Sequence, residues 1–89
     1  MMAGNNSDGI VNVPPKEFVQ VMVEAKPNQG IRVQWVERQL RELILIGTVK
    51  DLRQISPTEV EMKIKSEMRD LVRTALTGSL EVLKFYDVE

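Results

Sequence analysis

The hydrophobic period changes several times along this chain, and each change marks an element. Residues 18 to 25 read FVQVMVEA. Here Val19, Val21 and Val23 alternate at period two, while Lys16, Gln20 and Glu24 form a polar row at helical spacing. Three β-branched residues in five positions, followed by the breaker Lys26-Pro27-Asn28-Gln29-Gly30, favour a strand over a helix. From Val33 the spacing turns helical. Val33, Val36, Leu40, Leu43, Ile44 and Gly47 share one face, and Gln34, Glu37, Arg38, Arg41 and Glu42 supply polar positions elsewhere. Glu37 with Arg41, and Arg38 with Glu42, are opposite charges four apart, each worth about 0.2 to 0.5 kcal/mol on a continuous helix. Because the run Leu43-Ile44-Leu45-Ile46 is apolar all round, it should be covered on more than one side.

Ser56-Pro57-Thr58-Glu59 fits both a helix capping box and a tight turn. The residues after it decide for the turn: Val60, Met62 and Ile64 alternate strictly with Glu61, Lys63 and Lys65, the pattern of a strand with one buried and one solvated face. Residues 48 to 55 then form its hairpin partner. Val49, Leu52 and Ile55 are three apart, so a bulge or irregular stretch is expected there. Ser66 is placed to cap a second helix whose buried stripe is Met68, Leu71, Val72, Ala75 and Leu76, ending at Gly78. Residues 79 to 88 close the chain as a strand, with Leu80, Val82, Tyr86 and Val88 on one face and Leu83 and Phe85 on the other.

Strand, helix, strand, strand, helix, strand is the order of the ferredoxin-like split βαβ (βαββαβ) arrangement, an α+β two-layer sandwich named for its shape rather than for a cluster. Right-handed crossovers place both helices on one face of a four-stranded antiparallel sheet, with the first and third strands central. If the valines of the first strand point to the helices, Phe18, Gln20, Met22 and Glu24 line the open face. Leu83 and Phe85 of the last strand then join them. Phe18, Met22, Leu83 and Phe85 form an apolar patch there, beside the charged row Glu61, Lys63 and Lys65, and such a patch calls for a partner. Trp35 lies off the main helical stripe, as the flank of a wide core or as a further interface anchor.

Composition narrows the chemistry. Eighty-nine residues fit one domain, read as residues 14 to 89 after a flexible N-terminal arm at 1 to 13 that is rich in Gly, Asn, Ser and Asp. With 43% hydrophobic and 28% charged residues the chain should fold, and no stretch is long and apolar enough to span a membrane. The N-terminus has no signal-peptide pattern, so a cytoplasmic, soluble protein is expected. Cys and His are both absent, which removes disulfides, thiolate chemistry and the commonest base and zinc ligand, so no cofactor, metal or catalytic residue is assigned. Lys26-Pro27-Asn28-Gln29-Gly30 has one glycine and reads as a plain turn rather than a phosphate loop, and Arg32, Arg38, Arg41, Arg53 and Arg73, dispersed among acids, read as a solvated face.

The expected function is a non-catalytic protein-interaction or regulatory module, a homodimer or the binder of another protein through the open sheet face. RNA binding on that face is the alternative. Nucleic acid is not the expected partner, because the net charge is -1 and the third strand offers Glu61, Lys63 and Lys65 where a stacking aromatic would be needed. A further alternative is a small cofactor-free enzyme of the dimeric α+β type, with Tyr86 or Glu24 in a cavity between sheet and helices.

Overall fold

The alternating valines of residues 18 to 25 do form a strand, β1 (Phe18–Ala25). The structure, a computed structural model, describes residues 17–79 and 82–88, with the side chains of residues 79, 82 and 83 outside that description. The arm expected at residues 1 to 13 and the side chain of Leu83 therefore lie outside the described residues. After β1 come α1 (Val33–Gln39), α2 (Arg41–Leu45), β2 (Val49–Ser56), β3 (Glu59–Lys65), a 3₁₀ turn at Ser66–Met68, α3 (Arg69–Ser79) and β4 (Val82–Asp87). All strand pairings are antiparallel, and the sheet order is β2-β3-β1-β4, so the fold is α+β with β1 and β3 at its centre.

One face of this sheet makes the core. Val21 and Val23 of β1, Val60, Met62 and Ile64 of β3, and Val49 of β2 are fully buried with Val36 and Leu40 from the first helical pair and Val72 and Leu76 from α3. Burying one such side chain contributes roughly 1.5 to 3 kcal/mol, so this single cluster dominates the stability. The strict alternation of β3 needs no tertiary help to place its three apolar residues on the helix side. The β2–β3 turn also follows its residues: the Thr58 amide donates to Ser56 Oγ at 3.2 Å, and Ser56 Oγ donates to Glu59 Oε1 at 2.9 Å, at the reversal begun by Pro57.

Several expectations are corrected. The first helix is two segments, because Leu40 leaves helical geometry at φ -112° and ψ 22°. Val36 and Leu40, four apart, both reach the core across this joint. The joint places Glu37 and Arg38 on a different segment from Arg41 and Glu42, and neither expected i,i+4 ion pair forms among the described residues. The apolar run is not covered on every side: Leu43 and Ile44 pack on the core, whereas Leu45 and Ile46 are 75% and 70% exposed. In α3 only the row Met68, Val72 and Leu76 faces the sheet. The adjacent i,i+4 row turns outward, leaving Ala75 exposed and Leu71 54% exposed, so the expected burial of Leu71 is wrong by one helical row. Ser66 does not open α3 as a cap. Its amide and hydroxyl both donate to the Glu17 carbonyl, at 2.9 and 3.3 Å, which ties the 3₁₀ turn to the start of β1.

The irregularity expected in β2 is present, as two register shifts, one between Lys50 and Arg53 and one between Gln54 and Ser56. Asp51 sits in the first of them at φ 55°, a left-handed conformation that Asp tolerates better than most residues.

Candidate functional site

The uncovered face of the sheet is built row by row from strand register, since residues directly opposite in an antiparallel pair share a face. One row runs Arg53, Glu61, Met22, Tyr86 across all four strands. On one side of it lie Lys50, Lys63 and Gln20, then Lys65 and Phe18; on the other lie Ser56, Glu59, Glu24 and Lys84. The face is therefore polarised along the strands. Three lysines crowd one end, Glu24 and Glu59 with Lys84 beside them mark the other, and the middle row joins the Arg53–Glu61 pair to the apolar Met22 and Tyr86.

Local contacts fix these side chains. Lys50 Nζ stands 4.1 Å above the Phe18 ring, a cation–π contact of about 0.5 to 1 kcal/mol at an exposed site. Asp51 lies 3.8 Å from Lys63 and Glu17 lies 4.0 Å from Lys65, so both acids temper the basic end without neutralising it. Glu61 departs most from expectation. It is only 6% exposed, although the alternation of β3 placed it in a solvated row. Arg53 donates to its Oε1 at 2.6 Å. That hydrogen bond holds the Glu61 carboxyl below the usual carboxylate range, against the burial that pushes it up and with help from a Gln20 hydrogen bond and the Arg53 charge. A sequence reading had no route to this pair. Counted outward from Pro57-Thr58 in a regular hairpin, Glu61 would face Gln54, and the second register shift of β2 brings Arg53 there instead.

Of the residues proposed from sequence for an interface, the structure brings Phe18 and Met22 together on the outer face. Phe85 is elsewhere. It pairs with Val23, packs against the core from the helix side, and carries the Arg69 guanidinium 5.2 Å from its ring centre. Arg69 also holds Asp87 at 2.7 Å on that side, so α3 clamps β4 through its helix-facing residues. The phase of β4 is thus opposite to the expected one, and Tyr86, 39% exposed, takes the outward place given to Phe85. The cause is visible in the chain: residues 80 to 88 carry apolar side chains in both phases, and a register shift at Glu24/Ala25 adds an offset. Tyr86 and Glu24 both face outward, so neither lies between the sheet and the helices.

Trp35 does not belong to the outer face. It is half-buried, packs on the core from α1, and lines an open depression beside the β2–β3 turn. No family model matches the chain, and no curated protein or solved structure matches it either. Among the described residues no group of three or more acidic side chains is gathered for a cation, and no helix is long and apolar enough to cross a membrane.

Proposed function

We propose that this chain is a non-catalytic interaction module that pairs with a second copy of itself through the outer face of its sheet. In the same reading, the succession of strands and helices is a ferredoxin-like split βαβ arrangement, supported by the central places of β1 and β3.

The observation that carries the proposal is the polarity of the face. A two-fold axis along the Met22–Tyr86 row sets the lysine end of one copy, Lys50, Lys63 and Lys65, against the end of the other that carries Glu24 and Glu59 with a single lysine, Lys84. Met22 and Tyr86 then meet their own counterparts at the centre, the self-complementary pattern that a two-fold interface requires. Charge of this kind sets orientation and partner choice, and the apolar row supplies the burial.

Light scattering at micromolar concentration tests it. The wild type should be a dimer, and Tyr86→Lys or Met22→Lys should give a monomer with unchanged far-UV circular dichroism, because an interfacial charge without a partner is costly to bury but harmless in water. Lys63→Glu should weaken the dimer, and adding Glu24→Lys should restore it. A wild type that stays monomeric at high micromolar concentration overturns the proposal. One observation favours a second reading, single-stranded RNA on the same face: an aromatic ring, Phe18, lies under Lys50 with Lys65 opposite in register. Binding of a labelled RNA oligomer that is lost in Lys50→Glu would support it.

A further inference from the structure

The depression beside Trp35 is an independent feature, enclosed by the loop after β1, by α1 and by the β2–β3 turn, with a volume of about 910 Å³. This lies in the range of small-molecule sites, roughly 300 to 1,000 Å³. Its walls are tied together before any ligand arrives. The Val33 amide donates to Gln54 Oε1 at 2.8 Å, and Gln54 Nε2 donates to the carbonyls of Ile31 at 2.8 Å and Ser56 at 2.6 Å. The Ile31 amide donates to the Pro57 carbonyl at 3.0 Å. Gly30, at φ 72°, lets the loop pass so close that a Cβ there would stand 3.2 Å from the Pro57 oxygen.

Two cations line this depression without an acidic partner among the described residues. Arg53, Arg69 and Arg73 are each ion-paired, whereas Arg32, Arg38 and Arg41 make no ion pair among the described residues, and of these three Arg32 and Arg38 line the depression. For Arg38 the reason is the break at Leu40, which puts its natural partner Glu42 on a separate segment. Arg32 and Arg38 lie six positions apart and line the same depression as the Trp35 indole.

We propose that this depression binds a nucleoside monophosphate, with the base against Trp35 and the phosphate between Arg32 and Arg38. A carboxylate satisfies one guanidinium fork, but two separate unpaired guanidinium groups suit a dianion with three terminal oxygens. An indole face suits a flat heterocycle. The wall residues named here belong to the helix layer, its preceding loop, the helix side of β2 and the β2–β3 turn, with Ser56 alone shared with the outer face, so variants at Arg32 and Arg38 test the site separately from self-association.

Trp35 is the only tryptophan in the chain, so its fluorescence reports the site directly. Titration with AMP should quench it saturably, with half-effect at or below about 1 mM, a free energy ordinary for a small ligand. Adenosine alone and benzoate should bind at least about tenfold more weakly, and inorganic phosphate should compete with AMP without quenching. The double variant Arg32→Gln/Arg38→Gln should lose at least about tenfold in AMP affinity with unchanged circular dichroism, since both side chains are exposed. Quenching by AMP that never saturates, or an AMP affinity unchanged in the double variant, overturns the proposal, and benzoate binding as tightly as AMP overturns the assignment to phosphate.

Discussion

The two faces of the sheet come from the same strands, yet they are different kinds of surface. On the helix side, Val21, Val23, Val60, Met62 and Ile64 are completely shielded and apolar. On the outer side, each apolar residue has a charge in a neighbouring row, and the apolar row itself stays partly in water. The inner face holds the fold together, whereas the outer face, the pairing of Arg53 with buried Glu61 apart, contributes far less to it. A change of one position in strand phase moves a residue from one role to the other.

Substitutions on the two faces should therefore separate cleanly. The largest loss is expected for Met62→Ala, about 2 to 5 kcal/mol in urea unfolding, because it empties a fully enclosed site at the centre of β3. Phe85→Lys comes next, at about 1 to 3 kcal/mol, since it takes an aromatic ring from the helix side and sets a cation beside Arg69. The neighbouring Tyr86→Lys should leave the unfolding midpoint of the monomer nearly unchanged. Equal losses at 85 and 86 would erase the distinction between the faces.

Glu61 sharpens the comparison, because it is a buried charge on the outer side. Its carboxyl is held below the ordinary value of 4.5, so the stability it contributes is fully present above that pH and is lost as the pH falls through the lowered folded value. Glu61→Gln should remove this acid-dependent part of the urea midpoint measured between pH 7 and pH 3, and Arg53→Gln should reduce it in the same direction. The smallest effect belongs to Leu71→Ala, at most about 0.5 kcal/mol, since the residue lies on the outward row of α3.

How much of this was legible in the chain depends on how many phases each segment allows. Residues 60 to 65 have one apolar phase, and the strand, its buried set and the turn before it follow from the sequence. Residues 82 to 88 offer two phases, and the clamp of Arg69 on Asp87 and Phe85 holds the one observed. The second helix offers two adjacent apolar rows, and the sheet takes one. The break at Leu40 carries no glycine or proline, so the paired charges on either side pointed to a continuous helix that does not form. Phe18 and Met22 were found because β1 pairs with β3 without a shift from Phe18 to Glu24, whereas the Arg53–Glu61 contact depends on shifts that no local residue pattern announces.

Those shifts also bear on what the edge of the sheet offers to another strand. β2 is an edge of the sheet, and its open side would be a template for another strand if it were straight. Two offsets, a left-handed Asp51, and the exposed charges of Lys50, Asp51 and Arg53 leave no flat run of amides and carbonyls for a neighbour to match. Addition of a further strand is opposed at this edge, so β2 is a poor site for edge-to-edge aggregation as the protein is concentrated.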